Sequence, residues 1–491
     1  MKRTIHYRND PDGRRLPIKL DAATNGEFAP IPLAREHFHA NQLAFEVAAL
    51  NAKRLSLTRR AFLASSCGAA ATLLAMNAAY AARGRHGGYF ELPLEAALDE
   101  GLAAATLAPG EFIFDVQGHF VNPTDAWTRA LPAGAQPLRF ATDRASCSSA
   151  SAPGIASLRC LDSEAFIKDV FLDSDTELVV LSFVPSTRKG EPLTIEEAAA
   201  TAGIVERMEG THRLLLHGRV NPNQEGDVAG MDELAARYPI AAWKTYTQWG
   251  PDGRGFFLDD EPGLAMITKA RKLGIRNVAV HKGLPFGPES YGHSTCVDVG
   301  RVARSFPDVN FLIYHSGFVP GAPEGPYDPQ RSDGIDALIT SLQENNVRPG
   351  ANVYAELGST WRFLMRDPDS AAHALGKLLK YVGPDNVLWG TDSIWYGSPQ
   401  DQIQAFRTFQ ISVELAAKHG YPRITPALRA KVFGRNALRV YKIPEDVLKK
   451  HLAVDKVTRE RLAYAERADP AFLTYGPKTR REFLNLKARG G

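Results

Sequence analysis

The chain has 491 residues, of which 44% are hydrophobic and 23% are charged. This composition argues against a disordered or fibrous protein, and the length fits one large folded domain with extensions. Residues 1–90 hold 13 Lys and Arg against 6 Asp and Glu (+7), which leaves 45 against 49 (−4) for the rest. The basic charge therefore belongs to the N-terminal extension, and nothing in the body indicates nucleic-acid binding.

In chain order, an N-terminal extension at 1–57 precedes a segment with the features of an export signal. Residues 58–64, TRRAFLA, resemble a twin-arginine motif, and an uncharged run follows to Ala82 with Ala79-Tyr80-Ala81 as a small-x-small cleavage site. The run is long enough to span a bilayer but poor in Leu, Ile and Val, which favours a signal over an anchor. We therefore predict that 58–84 directs export to the periplasm by the twin-arginine machinery. The alternative is an Ala-rich helix behind an ordered N-terminal arm of a cytoplasmic protein.

The four cysteines give a limited prediction. Cys67 would leave with a cleaved signal, Cys147 and Cys160 could pair in an oxidising compartment, and Cys296 is expected to be a lone buried thiol. A structural zinc finger is excluded because the sequence has no CxxC motif and no Cys/His cluster.

Eight short apolar runs, alternating with longer amphipathic stretches, follow from residue 112. They are FIFDV at 112, ELVVLSFV at 177, RLLLHGRV at 213, IAAWKTYT at 240, NVAVH at 277, NFLIYH at 310, NVYAEL at 352 and NVLWGTD at 386. An insertion at 124–160, rich in Ala, Ser, Gly and Pro, separates the first two runs. Near-continuous apolar runs predict strands buried on both faces, and 195–209 and 333–346 have helical spacing.

A βα unit repeated eight times predicts an α/β fold, a (β/α)8 TIM barrel over 85–442. The alternative, an open doubly wound sheet, is weakened because no GxGxxG motif follows the first run. Beyond the eighth run, the sequence predicts a long helix near 399–418, a second segment at 428–443 and a helical tail at 443–491. The tail could pack on the barrel or on a second subunit, which leaves a homo-oligomer open.

The carboxyl ends of the runs carry the candidate site residues, because the βα loops of such a barrel converge at that end. The candidates are Asp115, Gln117 and His119 on the first run, Lys244 and Tyr246 on the fourth, His281 on the fifth, His315 on the sixth, Glu356 on the seventh and Asp392 on the eighth. Imidazoles and a carboxylate that converge on one point suit a borderline transition metal such as Zn²⁺. A metal activates water or polarises a substrate oxygen, and a neighbouring carboxylate serves as the base.

The order of these motifs resembles the amidohydrolase superfamily. D-x-Q-G-H on the first strand, VAVHKG on the fifth, FLIYHSG on the sixth and VLWGTD on the eighth are followed by KVFGRNALRVY. The resemblance covers about 112–442 and is greatest to the amidohydrolase-related branch that includes aminocarboxymuconate semialdehyde decarboxylase and resorcylate-type decarboxylases.

The resemblance implies roles for individual residues. It implies that His119, His281 and Asp392 are metal ligands, that Asp392 is also the proton acceptor, and that His315 activates water or contacts substrate. Gln117 stands where the family has a ligand His, and its amide oxygen is a weaker donor than imidazole. Lys244 matches a Lys common in this branch, and with Tyr246, Glu356 and Trp395 it forms the predicted substrate-binding set.

Each candidate has a structural alternative. His119 could bond to backbone at a strand end, His281 and His315 could be satisfied core residues, and Asp392 could cap a helix. Lys244 and Glu356 could form a packing pair, and Trp395 could belong to the core or rim. Asp115 is expected to be a structural hydrogen-bond acceptor.

Two functions follow. The first is an exported metal-dependent enzyme, with Zn (or Mn or Fe), that hydrolyses or decarboxylates a small carboxylated substrate. The second is a non-catalytic or metal-free binding protein on the same barrel, because Gln117 replaces a ligand.

Overall fold

A barrel of eight parallel strands forms the body of the protein. The computed structural model describes residues 10–122, 161–186, 190–209, 213–286, 290–453, 455–468, 470 and 472–488. The barrel strands are β2 (Phe114–Gly118), β3 (Leu178–Leu181), β4 (Leu214–Arg219), β5 (Ile240–Tyr246), β6 (Asn277–His281), β7 (Asn310–Tyr314), β8 (Val353–Glu356) and β9 (Val387–Leu388). They pair in chain order, every pair parallel. Each of the eight apolar runs supplies one strand.

The barrel closes between its first and last strands. The backbone N–H of Val116 donates to Trp389 at 3.1 Å, and Gly118 forms a parallel bridge with Ser393. The predicted (β/α)8 barrel is confirmed, and the eight carboxyl ends meet at one end, here called the mouth.

Helices connect the barrel strands and also precede and follow them in the chain. In chain order they are α1 (Arg35–Arg54), α2 (Arg59–Ala64), α3 (Ser66–Ala81), α4 (Glu100–Leu107), α5 (Ser163–Phe166), α6 (Ile195–Glu209), α7 (Asp227–Arg237), α8 (Glu261–Lys272), α9 (Val299–Ser305), α10 (Gly334–Glu344), α11 (Thr360–Leu364), α12 (Pro368–Lys377), α13 (Gln400–Thr408), α14 (Val413–His419), α15 (Pro426–Ala430), α16 (Asn436–Tyr441), α17 (Glu445–Leu452), α18 (Lys456–Ala465) and α19 (Arg480–Ala488). The bounds of α6 coincide with the predicted helix at 195–209, and α10 lies within that at 333–346.

The N-terminal extension packs on the barrel. Residues 10–34, here called the N-terminal arm, bury Leu16, Ile18 and Leu20 completely. Lys19 Nζ donates to the carbonyls of Tyr396 and Ser398, at 3.1 and 2.8 Å. The arm is therefore held beside the loop that follows β9.

The segment with signal-like features is helical and buried in the structure. Within it, Phe62 and Met76 are inaccessible to solvent, and α3 packs against α1 and α4. Among the residues that the structure describes, no helix combines the length and the apolarity needed to cross a membrane. The structure shows how this segment packs, and its role in export stays a prediction.

The C-terminal region differs from its prediction in one place. The single helix expected near 399–418 is two helices, α13 and α14, interrupted by β10 (Phe409–Ile411). Strand β10 pairs antiparallel with β1 (Gly88–Phe90), so a partner more than 300 residues away interrupts the helix. The tail is helical as predicted, and α18 packs on the barrel.

The cysteine predictions are tested in part. Cys67 and Cys296 are buried free thiols, as expected for Cys296. Cys147 and Cys160 lie outside the described residues, as does most of the insertion at 124–160.

Candidate active site

His119, Gln117 and Asp392 form one cluster at the mouth. His119 Nε2 lies 3.2 Å from Asp392 Oδ1, and the amide nitrogen of Gln117 donates to the same oxygen at 3.0 Å. The backbone N–H of Asp392 donates to the Gln117 carbonyl at 3.0 Å, which joins the two strand ends. The His119 ring bonds these side chains rather than backbone, and the Asp392 carboxylate does not cap a helix. The structural alternatives for both are therefore not observed.

His281 and His315 form a second cluster. His315 Nε2 lies 3.2 Å from His281 Nδ1, and His315 Nδ1 lies 2.7 Å from the carbonyl of Gly358. Because that carbonyl can only accept, Nδ1 of His315 carries the proton. His281 also stacks on Tyr246, with ring centroids 4.7 Å apart.

Burial and neighbouring groups shift the pKa values of His281, His315 and Asp392. Burial lowers the pKa of His315 to about 4 and that of His281 well below its ordinary value. Burial opposes ionisation of Asp392, but its contact with His119 and the nearby His315 hold the pKa of Asp392 below its ordinary value. Neutral imidazoles beside a carboxylate are the protonation states that a metal requires of its ligands.

The N-terminal arm connects the two clusters. The amide nitrogen of Asn25 donates to Glu27 Oε2 at 2.7 Å and reaches Asp392 Oδ2 at 3.4 Å. Glu27 Oε2 in turn lies 4.0 Å from His281 Nε2. Residues that precede the barrel by about 90 positions thus lie over the mouth.

Lys244 lies inside the barrel below these clusters. It is completely buried, its Nζ lacks a hydrogen-bond partner, and it lies 3.6 Å from the ring centre of Tyr314. Burial lowers the pKa of Lys244 to about 7 against the opposing effect of Glu356, Asp392 and Glu27. An unpartnered cationic group in a site that holds anions is suited to bind a carboxylate.

Glu356 makes backbone contacts that the sequence did not predict. Its carboxylate accepts the backbone N–H groups of His315 and Gly358, at 3.0 and 2.5 Å. Burial raises the pKa of Glu356 to about 8. It makes no ion pair with Lys244, so the packing-pair alternative is not observed, and Glu356 instead fixes the backbone that carries His315.

The remaining predicted residues surround the clusters. Trp395 stacks on His119 with ring centroids 5.6 Å apart, and Tyr246 OH donates to the Phe183 carbonyl at 2.8 Å. Asp115 accepts the backbone N–H groups of Gln117 and Thr391, at 2.9 and 3.0 Å, as expected of a structural acceptor. Burial raises the pKa of Asp115 to about 7.

Several residues of the site were not predicted from the sequence. They are Asn25 and Glu27 on the arm, Ser359 and Tyr396 beside Asp392, and His217 inside the barrel. Ser359 Oγ donates to Asp392 Oδ2 and lies 2.7 Å from Tyr396 OH. His217 Nε2 lies 3.3 Å from Tyr314 OH. The sequence signal for His217 was present, because it falls within the apolar run RLLLHGRV of β4.

The donor atoms suit a divalent ion. Two ligands of one zinc ion, each about 2.1 Å from it, lie at most about 4.2 Å apart. The pair His119–Asp392, at 3.2 Å, is close to the separation of about 3.4 Å in tetrahedral zinc, whereas the pair His281–Glu27, at 4.0 Å, is wider than that. His281 Nε2 and Gln117 Oε1 are buried without a hydrogen-bond partner. Across the described ranges, however, no group of three or more His, Cys, Asp or Glu side chains is already assembled to hold a metal. The donor types therefore suit a divalent ion, and among the described residues one pair, His119–Asp392, is also suitably spaced.

Solved structures with a similar fold include three decarboxylases. The 2,6-dihydroxybenzoate decarboxylase from Rhizobium is 16% identical, with a TM-score of 0.39 over 68% of this chain and 99% of that one. The 5-carboxyvanillate decarboxylase from Sphingomonas paucimobilis is 14% identical, with a TM-score of 0.41 over 68% and 100%. A dihydroxybenzoic acid decarboxylase from Polaromonas, with bound manganese and 2-nitroresorcinol, is 14% identical, with a TM-score of 0.40 over 68% and 97%.

A family model decides the classification. No curated protein matches the sequence significantly. The model described as "Amidohydrolase" matches residues 183–443, more than half of the chain, and this range includes His281, His315 and Asp392. The chain therefore belongs to the amidohydrolase family, and it is an enzyme of the amidohydrolase superfamily.

Proposed function

We propose that the protein is a divalent-metal-dependent enzyme that hydrolyses a small carboxylated substrate, with decarboxylation as the alternative reaction. The observation that carries this proposal is the convergence of His119, His281, His315 and Asp392, from four strands, on one buried mouth. Asp392, whose pKa is held below its ordinary value in this buried site, supplies the carboxylate that such a group of imidazoles needs to act on a metal or a proton. The donor types, imidazole nitrogen and carboxylate oxygen, are those of a catalytic metal site.

His119, His281 and Asp392 would hold the ion. The chemistry that such an ion supplies when bound is Lewis acidity, which lowers the pKa of water or polarises a substrate oxygen. Gln117 now directs its amide nitrogen at Asp392 and leaves its oxygen without a partner. A half-turn of the amide would present this neutral oxygen as a weak further donor.

Lys244 supports the choice of a carboxylated substrate. Its buried ammonium has no hydrogen-bond partner and therefore has donors available for an anionic group. The rings of Tyr246 and Trp395, which stack on His281 and His119, keep both imidazoles oriented and exclude water from the mouth.

Asp392 and His315 are placed to move protons. Asp392 is held ionised, so it can accept a proton from water or substrate. The Nδ1 proton of His315 is fixed on Gly358, so a reacting group would have to take the place of His281 Nδ1, 3.2 Å away, as the partner of His315 Nε2. Hydrolysis and decarboxylation both use this base, and the broader description is hydrolase.

Metal analysis of the purified full-length protein tests the proposal. About one Zn, Mn or Fe per chain, with turnover in a screen of small carboxylic acids and lactones that is lost on chelation and restored by metal, supports it. A metal-free protein of unchanged thermal stability contradicts it.

A specific observation favours the second candidate, a metal-free binding protein. The amide nitrogen of Gln117 lies 3.0 Å from Asp392 and 3.3 Å from His119 Nε2, so it occupies the space between two ligands. In that case a carboxylated ligand binds through Lys244, and its affinity does not change on addition of metal or chelator.

Export by the twin-arginine machinery remains part of the proposal, supported by the sequence at 58–84 alone. N-terminal sequencing of the protein from the native periplasm tests it. Cleavage after Ala81 would remove the arm and the whole of helices α1, α2 and α3.

A further inference from the structure

We propose that the ring of Tyr314 positions Lys244 for the carboxylate of the substrate, by holding the ammonium group against its face while leaving N–H donors free. This inference rests on the proposed function, because it concerns the group that would bind that carboxylate. Lys244 Nζ lies 3.6 Å from the centre of the Tyr314 ring and 4.8 Å from that of Tyr246. All three residues belong to barrel strands, so cleavage after Ala81 would leave the contact in the chain.

Lys244 differs from the other buried lysines among the described residues. Lys19, Lys282 and Lys377 are at most 3% exposed, and each is paired with a carboxylate. The pairs are Lys19–Asp401 at 3.5 Å, Lys282–Asp298 at 2.8 Å, and Lys377–Glu324 and Lys377–Asp336, both at 2.6 Å. Lys244 is completely buried and its Nζ has no hydrogen-bond partner, so aromatic faces stand where the other lysines have an anion.

An aromatic face attracts an ammonium group without neutralising it. The attraction is stronger away from water than at a surface, so a ring can stabilise the charge of a buried lysine where no ion pair is present. Because the Tyr314 ring is uncharged, the positive charge of Lys244 is left for an anionic ligand to balance. An ammonium group has three N–H donors, so contact with two rings leaves at least one donor for that ligand.

The Tyr314 ring is itself held in place. It is completely buried, and its hydroxyl donates to the carbonyl of Val116. The hydroxyl also lies 3.3 Å from His217 Nε2 and close to Tyr441. These contacts come from β2, β4 and α16, so the ring cannot turn away from Lys244 without losing them. His217, which lies inside the barrel, therefore supports the ring that holds the lysine.

Several ionisable groups also face Lys244, and they set its charge together with the ring. They are the carboxylates of Glu356, Asp392 and Glu27 and the imidazoles of His217, His281 and His315. The carboxylates favour the ammonium form, but burial outweighs them and lowers the pKa of Lys244 to about 7. Only the ammonium form is attracted to the ring, so removal of the ring is expected to lower this pKa further.

Calorimetric titration of the full-length protein across pH tests the inference. The probes are benzoate and succinate, each compared with its uncharged amide. Tyr314→Leu is expected to move the pH midpoint of carboxylate binding down by about one unit, which above the midpoint is a loss of about 10-fold in affinity. Tyr314→Phe is the matched control, because it keeps the ring and is expected to keep the midpoint of wild type.

A second series keeps the shape of the side chain. Tyr314→Phe with increasing numbers of fluorine atoms on the ring weakens the attraction for a cation while the packing changes little. The pH midpoint is expected to fall stepwise along this series. A ring that serves only for packing would leave the midpoint in place, and Tyr314→Leu would then weaken binding of benzamide as much as that of benzoate.

The lysine itself provides the last comparison. In Lys244→Met, further replacement of Tyr314 by Leu is expected to leave benzoate affinity unchanged, because the group on which the ring acts is gone. The same loss in both backgrounds overturns the inference.

The outcomes separate the two proposals. A midpoint that is equal in wild type, Tyr314→Leu and the fluorinated series overturns the role of Tyr314 and leaves carboxylate binding by Lys244 standing. A wild type that binds neither carboxylate more tightly than its amide overturns both the inference and the carboxylated substrate of the proposed function.

Discussion

The two ends of the barrel treat buried charge in opposite ways. At the amino end, Arg213 is completely buried and donates to Asp455 through two nitrogens at 2.7 Å and to Glu177 at 2.7 Å. At the mouth, Lys244 Nζ and His281 Nε2 are just as buried and have no hydrogen-bond partner. Because an unsatisfied buried polar group costs free energy, both groups would gain from a hydrogen bond to water or to a ligand. The amino end is built for stability and the mouth for binding.

Asp392→Asn should have the largest effect on turnover. The substitution removes the charge and the proton acceptor but keeps the shape, so we expect the rate to fall by about 10³- to 10⁴-fold while the fold is kept. Turnover and circular dichroism of the variant check this. Asp385→Asn, at a half-exposed position just before β9, is the control, and an unchanged rate in Asp392→Asn would refute the assigned role.

Arg213→Met should show the reverse pattern at the amino end. Loss of one partner leaves Asp455 buried without its cation, which is expected to lower the free energy of unfolding by about 3–5 kcal/mol. Denaturant unfolding measures the loss, and metal affinity should stay unchanged. The double variant Arg213→Met/Asp455→Asn keeps the helix cap at α18 and should recover most of the stability. If Arg213→Met lost metal binding without losing stability, the contrast between a stabilising amino end and a ligand-binding mouth would be wrong.

The sequence predicted the barrel and the half of the site that strands carry. Apolar runs between polar stretches locate buried strands, and in a parallel barrel their carboxyl ends must converge, so His119 and His281 could be placed near each other without a structure. The same local signals cannot detect a distant partner. For that reason the prediction of one helix at 399–418 was wrong at 409–411. These residues form strand β10, because pairing with β1 overrides their helical propensity.

The arm was missed for a related reason. Asn25 and Glu27 lie in a stretch without regular secondary structure, so no periodicity assigns them to a face. One signal was available: Leu16, Ile18 and Leu20 alternate with other residues, as in an extended segment with one buried side. This alternation predicts that the arm packs against something, but only the structure shows that it packs over the mouth.

Lys244 provides a smaller test, through pH. In the free protein its pKa is lowered to about 7 by burial, so the ammonium is present below this pH and is lost as the pH rises through it. We expect a carboxylate inhibitor to bind best below about pH 7 and more weakly above it. Lys244→Met should weaken binding about 10- to 100-fold and flatten the pH profile, as expected for the loss of a charge-assisted hydrogen bond. Calorimetry across pH measures both, and a retained pH profile in the variant would exclude Lys244 as the group that titrates.

Tyr246→Phe should have the smallest effect, and it separates two contributions of one side chain. The variant keeps the ring that stacks on His281 and loses only the hydroxyl that donates to the Phe183 carbonyl. We expect a loss of about 0.5–1.5 kcal/mol in the free energy of unfolding, with metal affinity and turnover close to wild type. Thermal unfolding and metal titration measure the two quantities. A large loss of turnover at unchanged stability would show instead that the hydroxyl contacts the substrate. Tyr246 would then both support His281 and bind substrate.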